Sequence, residues 1–403
     1  MRNRTFLALA LIHLIGLLAA CNTARAQKKY SFQRPAMGSP FTITIATVDS
    51  LKAAQAADAA FRLADTLNGI LSDYIDSSEI NRLSATSGQN KYIKVSQPLF
   101  DILSRAQEAA RLTNGSYDIT IGPVVKLWRK ARKTGVAPTK ADITAALRHT
   151  GYRYLHLDTA NQAVWLEISG MQLDVGGLGK GFVAQAALQR LAEAGFPIAM
   201  VNAGGKIVTG QPPLTSLASP STNQPPLASL ASPSANQPPL ASLTSPSASQ
   251  LPSTGQPPSS QPENPPSVQP GWLIGINAPG EKDRLLPILL SLHNMSVATS
   301  GDIYQYLEWK GKRYSHIIDP HTGIGLTRRR NVTAIARDGT TADWLATACS
   351  ILSYHRSLKL LKHFPGAALL VAEMKHGRII RKSSHNFSQY QLPDAPANPK
   401  TLF

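Results

Sequence analysis

Residues 173–181 read LDVGGLGKG, a stretch in which an apolar segment gives way to glycines and then to a new apolar period. We expect a strand to end at Asp174 and a helix to begin near Lys180, because apolar residues between positions 183 and 194 recur at helical spacing. Glycines let the backbone approach a phosphate closely, and a helix N-terminus offers unpaired N–H groups. The G-x-G-x-x-G fingerprint of dinucleotide sites is absent, so the stretch alone is equally typical of an ordinary strand-to-helix turn.

Apolar patterns on both sides of this stretch predict further strands and helices. Strands are predicted at residues 41–45, 164–168, 171–175, 199–202, 272–276, 314–318, 332–336 and 368–372, and helices around residues 60–71 and 99–110. The strands come in adjacent groups between long helices and do not alternate strictly with them. This order favours an α+β fold, with mixed sheets flanked by helices, over a doubly wound parallel sheet.

Residues 211–270 differ in composition from everything around them. Three near-copies of a thirteen-residue unit begin at Gln211, Gln224 and Gln237, and the whole stretch contains one acid, Glu263, with no base and no aromatic residue. Such a segment cannot bury enough apolar surface to offset its ordering entropy. We therefore predict a long disordered insertion with polyproline character, and one folded domain built from residues 31–210 and 271–392, followed by a tail at 393–403.

The N-terminus carries the pattern of an export signal. Arg2 and Arg4 precede an apolar run at residues 6–18 that is too short to span a bilayer. The run ends in LAAC at residues 18–21, which resembles a lipoprotein cleavage box, so we expect a signal peptide at 1–20, a lipid on Cys21 and a tether at 21–30. The domain would then be anchored to a bacterial membrane and face the periplasm. An ordinary secretory signal that happens to contain a cysteine is the alternative.

The net charge limits the classes of binding partner, and the two cysteines are a separate feature of the chain. The chain has a formal net charge of +17, but its basic residues are scattered and lack the interleaved aromatic residues that stack on bases. We therefore expect no nucleic-acid partner; attraction to anionic lipid or to a diphosphate accounts better for the charge, and a merely solvated basic surface is the alternative for most of these residues. Cys21 and Cys349 are the two cysteines of the chain, and Cys349 lies in an apolar helical run that predicts burial.

Two segments late in the chain carry residues suited to catalysis. Residues 314–323 read YSHIIDPHTG and place His316 at a strand end beside a tight turn, where an imidazole could transfer protons near neutral pH. A lone strand histidine is more often structural. Asp343 and Thr347 are four residues apart and would share one helix face, and their oxygen atoms suit Mg²⁺ that bridges to phosphates. An aspartate favoured by a helix N-terminus would explain Asp343 alone.

Together these segments resemble the ApbE family. The resemblance rests on residues 37–41, 71–74 with 78–81, 115–123 before 127–128, 174–181, 202–205, the SHIIDP run at 315–320, and 342–347, which occur in the family's order. It implies an FAD:protein FMN transferase, which uses Mg²⁺ to cleave the FAD diphosphate, releases AMP and links FMN by a phosphodiester to a threonine of an acceptor protein. Exported respiratory flavoproteins are the acceptors that the resemblance implies.

The resemblance also assigns roles by position. It implies contacts with FAD for Met37, Tyr74, Ser116, Tyr117, Asp118, Asp174, Lys180 and Ile317. It implies Mg²⁺ ligation by Gly177, through its carbonyl, and by Asp343 and Thr347. His316 would assist deprotonation of the incoming threonine hydroxyl.

Two positions depart from the family's pattern, and two rival functions stay open. Trp344 follows Asp343 where a small residue is expected, and Lys206 follows a glycine pair where aspartate or asparagine is common. The same motifs would serve an Mg²⁺-dependent FAD pyrophosphatase, in which water replaces the threonine and free FMN and AMP appear. A non-catalytic flavin-binding lipoprotein would not need His316 and Asp343 together.

Overall fold

The computed structural model describes residues 27–213, 271–280, 284–301 and 305–393. The predicted signal peptide, the lipid attachment point at Cys21, nearly all of the predicted insertion and the C-terminal tail lie outside the described residues. Within the described parts of the chain, no helix combines the length and the apolar character needed to cross a membrane.

The helices and strands alternate irregularly along the chain. The strands are β1 (Lys28–Ala36), β2 (Ser39–Thr47), β3 (Ile93–Lys94), β4 (Leu155–Asp158), β5 (Ala163–Leu166), β6 (Ala199–Ala203), β7 (Lys206–Thr209), β8 (Trp272–Asn277), β9 (Leu285–Leu292), β10 (Ser296–Ser300), β11 (Tyr306–Trp309), β12 (Lys312–Ser315), β13 (Ile318–Asp319), β14 (Ile324–Gly325), β15 (Arg330–Ala336), β16 (Ala368–Lys375) and β17 (Arg378–Ser383). The helices are α1 (Ser50–Leu71), α2 (Glu79–Ser84), α3 (Gln97–Leu112), α4 (Gly122–Thr134), α5 (Lys140–Leu147), α6 (Gly179–Glu193), α7 (Gly339–Ile351) and α8 (Tyr354–Leu361).

An eight-stranded sheet organises the described part of the chain. Its order is β1-β2-β6-β7-β10-β15-β16-β17, and the neighbouring strands pair antiparallel. The predicted α+β class is confirmed. The folded domain begins earlier than predicted: β1 starts at Lys28 and not at residue 31, because Lys28 to Ala36 pairs with Thr47 to Ser39 along its full length. The predicted tether at 21–30 is therefore too long by three residues.

Both faces of the sheet are covered. Helices α6 and α7 pack on one face and α1 packs against α6, while the β8–β9 hairpin contributes to the apolar cluster on the other face. Strand periodicity separates the two cores: Ala298 and Ala334 belong to the helix side, and their chain neighbours Val297 and Ile335 belong to the hairpin side. Residues one apart on a strand point to opposite faces, so runs of consecutive apolar residues are expected in such a central sheet.

A third apolar cluster attaches the late loop segment to α4. The indole nitrogen of Trp128 donates to the carbonyl of Gly323 at 2.8 Å, and its ring lies 5.2 Å from that of Tyr314, measured between centroids. This packing fixes the segment that contains His316 against α4.

Two predicted strands differ from the structure. Residues 171–175 form no strand apart from an isolated bridge between Gln172 and Ile121, because most of this stretch runs along the core beside α2 and α4 as irregular chain. The predicted strand at 314–318 is interrupted at residues 316 and 317. There the N–H of Ile317 donates to the Ser315 hydroxyl at 3.0 Å, a local turn that competes with sheet pairing.

Candidate functional site

The glycine-rich loop leads into α6 as the sequence predicts. Helix α6 begins at Gly179, and its N-cap residue, Leu178, provides no side-chain cap. N–H groups of the first turn that have no capping side chain are suited to an anionic ligand. Upstream in the loop, the carboxylate of Asp174 accepts a hydrogen bond from the Gly176 N–H at 2.8 Å.

Met37 reaches the same loop from the β1–β2 turn. Met37 and Gly38 have φ angles of 51° and 67°, the left-handed pair typical of a two-residue hairpin. A non-glycine residue keeps a left-handed backbone conformation only where the surrounding contacts offset its strain, and such positions are common at ligand sites. A Cβ atom built on Gly179 would lie 3.8 Å from the methyl carbon of Met37, which places the thioether beside the start of α6.

A cluster of oxygen atoms lies between the loop and α7. Asp343 is fully buried, and its Oδ2 accepts a hydrogen bond from the N–H of Gly181 at 3.0 Å. Its Oδ1 is also buried and accepts no hydrogen bond from the part of the chain that the structure describes. The Thr347 hydroxyl lies 3.4 Å from the Gly177 carbonyl oxygen and 3.1 Å from the Ser300 hydroxyl. The three predicted metal ligands are therefore brought together.

This donor set fits a magnesium ion that also binds substrate oxygens. A carboxylate, a hydroxyl and a carbonyl are hard oxygen donors, and Mg²⁺ is commonly held by one or two carboxylates together with phosphates and water. Among the described residues, no group of three or more His, Cys, Asp or Glu side chains is placed to hold a metal. Oδ1 of Asp343, which accepts no hydrogen bond from the described residues, is the atom that such an ion would contact.

Two lysines face this cluster. The Nζ atom of Lys206 lies 3.4 Å from Asp343 Oδ1 and donates to the carbonyl of Thr299 at 2.6 Å. Burial, followed by the nearby charge of Lys206, lowers the pKa of Lys180 below its ordinary value. Two ammonium groups beside one carboxylate leave an excess of positive charge, which suits a diphosphate. Lys206 was marked from the sequence as a departure from the family pattern and was not assigned a role.

A second group of residues lies around Arg129, which the sequence reasoning missed. The guanidinium of Arg129 pairs with Asp174 at 2.9 Å and with Asp73, and it lies 4.0 Å from the centre of the Tyr74 ring. Tyr74 is 70% exposed, so its ring is available to stack on a planar ligand. Burial, and then the charge of Asp73, raise the pKa of the Asp174 carboxyl. Arg129 directly follows residues 127–128, which belong to the family resemblance, and this adjacency is the sequence signal that could have identified it.

The three residues of the predicted 116–118 segment behave differently from one another. Tyr117 is buried against Trp344, and its hydroxyl has no partner in the described structure. A Cβ atom built on Gly177 would lie 3.0 Å from the Tyr117 ring, which places the ring beside the oxygen cluster. Burial and the charge of Asp343 raise the pKa of Tyr117 well above its ordinary value. The Ser116 hydroxyl lies 3.4 Å from Nε2 of His321, so this segment meets the Asp-Pro-His-Thr-Gly turn.

Asp118 points into the protein. Its Oδ1 accepts from the N–H and the hydroxyl of Thr120 at 2.8 and 2.7 Å, and its Oδ2 accepts from the N–H of Tyr152 at 2.9 Å. Burial raises the pKa of this carboxyl. Asp118 therefore holds neighbouring backbone in place, and a direct contact with FAD stays a prediction.

His316 sits in the interruption between β12 and β13. Its Nδ1 lies 3.1 Å from the carbonyl oxygen of Gln305. A carbonyl only accepts, so Nδ1 carries a proton in this contact, and Nε2 is the ring nitrogen that would act as a general base when the ring is neutral. The N–H of Ile317 is bonded to Ser315, and its carbonyl accepts from the N–H of Leu326 at 2.9 Å.

A family model matches most of the chain. The model for the ApbE family matches residues 37–222 and 254–371, which begin at Met37 and include the glycine loop, His316 and the oxygen cluster. The chain belongs to the ApbE family. The resemblance drawn from the sequence motifs is therefore confirmed.

Named relatives of the ApbE chain agree with this assignment. A FAD:protein FMN transferase of Treponema pallidum is 28% identical over 316 residues, which cover 77% of this chain and 75% of the relative. A FAD:protein FMN transferase of Klebsiella pneumoniae is 25% identical over 315 residues, covering 78% of this chain and 79% of the relative.

Solved ApbE structures share the fold. The flavin transferase ApbE from Vibrio cholerae superposes with a TM-score of 0.67 at 21% identity, over 90% of this chain and 99% of that structure. The ApbE protein from Thermotoga maritima superposes with a TM-score of 0.67 at 24% identity, over 91% of this chain and all of that structure (100%).

Trp344, the other departure from the family pattern, packs into the apolar core of this ApbE protein. It is buried on α7, with its ring centroid 6.1 Å from that of Tyr117 and 5.3 Å from that of Phe364. The neighbouring Asp343 keeps its hydrogen bond to Gly181. The larger side chain thus packs behind the oxygen cluster and leaves its donor set intact.

Proposed function

We propose that this ApbE protein is an Mg²⁺-dependent FAD:protein FMN transferase. The observation that carries the proposal is the fully buried carboxylate of Asp343. Among the described residues its Oδ1 accepts no hydrogen bond and makes an ion pair with Lys206 at 3.4 Å. Thr347, one helical turn further along, places its hydroxyl 3.4 Å from the Gly177 carbonyl oxygen. A buried carboxylate oxygen that has an ion pair but no hydrogen bond is incompletely compensated for its loss of water, and a bound ligand can complete its contacts. An Mg²⁺–diphosphate complex would satisfy both this oxygen and the surplus positive charge.

The reaction transfers FMN from one oxygen to another. The hydroxyl oxygen of an acceptor threonine attacks the FMN phosphorus, the bond from that phosphorus to the bridging oxygen breaks, and AMP leaves with the bonding electron pair. The threonine proton passes to Nε2 of His316. When bound, Mg²⁺ supplies positive charge that stabilises the oxygens of the transferring phosphoryl group.

The chain's own residues bind and orient the substrate. Asp343, Thr347 and the Gly177 carbonyl would hold the metal. Lys180 and the N-terminus of α6 bind the diphosphate, and Tyr74, supported by Arg129, stacks on an aromatic ring of FAD. Positioning and charge neutralisation supply most of the catalysis in phosphoryl transfers, so these binding roles are also catalytic in effect.

The proposal extends to the acceptor protein, which the family resemblance implies, and to the location, which the N-terminal sequence supports. We propose an exported acceptor flavoprotein, of the kind found as a subunit of respiratory complexes, which bears a target threonine. The proposed site of action is the periplasmic face of a bacterial membrane, to which a lipid on Cys21 would anchor the domain. The basic n-region and the LAAC sequence at 18–21 support this placement.

Release of AMP, measured chromatographically, tests the proposal. We expect AMP to form from FAD only when Mg²⁺ and an acceptor are both present, and to stop when the metal is chelated. AMP formation at the same rate without acceptor would support the rival FAD pyrophosphatase, in which water takes the place of the threonine.

A further inference from the structure

Lys206 is aimed into the oxygen cluster by the turn that precedes it. Gly204 and Gly205 have φ angles of 58° and 87°, and the N–H of Gly205 donates to the side chain of Asn202 at 2.8 Å. Strand β7 then begins at Lys206, which pairs with Ala298 of β10. The side chain of Lys206 is 13% exposed, and its Nζ is held by the Thr299 carbonyl at 2.6 Å.

The ammonium group lies against the atom that a metal ion needs. Asp343 Oδ2 is occupied by the Gly181 N–H at 3.0 Å, which leaves Oδ1 as the coordinating oxygen. Nζ of Lys206 approaches this Oδ1 to 3.4 Å as an ion pair. A divalent cation bound to Oδ1 would therefore stand close to an ammonium group in a buried site, where like charges repel strongly.

A diphosphate removes this conflict. The Nζ atom of Lys180 lies at the turn that precedes Lys206, 3.9 Å from where a Cβ on Gly204 would sit. Burial, and then the charge of Lys206, lower the pKa of Lys180. The two ammonium groups exceed the single carboxylate in charge, and phosphate oxygens would supply the missing negative charge. A long, flexible lysine side chain can exchange a carboxylate partner for a phosphate partner without movement of its strand.

We propose that Lys206 is a resident counter-ion of Asp343 that competes with the divalent cation, so that metal binds tightly only together with a diphosphate. This inference rests on the metal site of the proposed function. It makes Lys206 a positioning residue that couples metal binding to substrate binding. Metal binding without substrate would be weak, and the reciprocal coupling would tighten diphosphate binding when metal is present.

Binding of Mn²⁺ alone, as a paramagnetic substitute for Mg²⁺, tests the inference without turnover. Free Mn²⁺ is measured by electron paramagnetic resonance during titration of the full chain, with and without ADP as a flavin-free diphosphate. We expect Lys206→Met to bind Mn²⁺ about tenfold more tightly than the parent when ADP is absent. ADP should increase the Mn²⁺ affinity of the parent, and this increase should be about tenfold smaller in Lys206→Met.

Further variants separate the effect of the positive charge at position 206 from the effects of its size and its hydrogen bond. Lys206→Gln keeps a donor for the Thr299 carbonyl and should tighten Mn²⁺ binding as methionine does, even if methionine disturbs folding. Lys206→Arg keeps the charge and should behave like the parent, as should Lys91→Met, which removes an exposed charge from the loop between α2 and β3.

Two results would overturn the inference. One of them leaves the proposed metal site standing, and the other refutes the metal site as well. Equal Mn²⁺ affinity in the parent and in both neutral variants would refute competition by Lys206 and leave the metal site standing. Absence of Mn²⁺ binding in all of them, with Asp343→Asn indistinguishable from the parent, would refute the inference and the proposed metal site together.

Discussion

A Cβ atom built on Gly181 would lie only 2.0 Å from the carbonyl oxygen of Gly339, so helices α6 and α7 cross backbone against backbone. Such an approach requires glycine, because any other residue would force the helices apart. The crossing places the Gly181 N–H 3.0 Å from Asp343 Oδ2. Two motifs on opposite sides of the 214–270 segment thereby form one site.

Replacement of Gly181 by alanine should damage both stability and activity. Because the added methyl would meet backbone that cannot rotate away, we expect a loss of about 1–3 kcal/mol in the free energy of unfolding and a large loss of transfer. Gly69→Ala in α1 is the matched control, since a Cβ there meets nothing within 4 Å. It should stabilise the protein by about 0.5–1 kcal/mol. Urea denaturation of both variants measures the difference, and equal effects would contradict the crossing.

Asp343→Asn should abolish FMN transfer while preserving the fold. Asparagine keeps an oxygen that can accept from the Gly181 N–H but removes the negative charge that a metal ion requires. Asp338→Asn is the control on the same helix: Asp338 caps α7 through the Thr341 N–H, a role that asparagine also fills. Circular dichroism and transfer rates at limiting Mg²⁺ compare the two. Near-parental activity of Asp343→Asn would remove it from the metal site.

His316→Ala should slow transfer without weakening FAD binding. A positioned general base contributes about 10²–10⁴-fold in rate, and the residues predicted to bind FAD are mainly on other segments. FAD titration by fluorescence and single-turnover transfer at saturating FAD separate binding from chemistry. His355→Ala, which changes an exposed histidine on α8, should transfer at the parental rate. If His316→Ala fails only because FAD no longer binds, the histidine is not the base.

Cys349 should make stability fall at alkaline pH. The side chain is fully buried, as the sequence predicted, and burial raises the pKa of its thiol from 9.0 to about 11. Between these values the unfolded chain loses the proton while the folded chain keeps it, so unfolding becomes easier as pH rises. In a Cys21→Ser background, the parent should lose about 1 kcal/mol more than Cys349→Ala between roughly pH 8 and pH 10. If the free energy of unfolding changed with pH in the same way in the parent and in Cys349→Ala, the thiol would have the same pKa in the folded and unfolded chains, and the prediction would be wrong.

The sequence predicted the parts of the site that local chemistry determines. The start of α6 near Lys180 and the shared helix face of Asp343 and Thr347 follow from glycine placement and helical spacing, and the structure confirms both. The irregular path of residues 171–175 was not predictable in this way. An apolar run reads as a strand, but only tertiary packing decides whether a partner strand is available.

Residues that act through long-range pairing were also missed. Arg129 was interpreted from the sequence as one of the scattered basic residues, and nothing local reveals that Asp73 and Asp174 converge on it from two other segments. The inward orientation of Asp118, which its bonds to Thr120 and Tyr152 set, was likewise not predictable from the sequence, and its contact with FAD stays a prediction. The partners of Arg129 lie 45 and 56 residues away along the chain, and one of the two partners of Asp118 lies 34 residues away. Such pairings depend on the tertiary fold and leave no local signal in the sequence.

Intact-mass spectrometry of an exported candidate acceptor, after incubation with FAD, Mg²⁺ and this protein, tests the proposed transferase activity most directly. We predict that the acceptor gains the mass of FMN less one water, and that replacing its target threonine by valine removes the gain. The activity would be contradicted if FMN and AMP accumulated free in solution while the mass of the acceptor stayed unchanged.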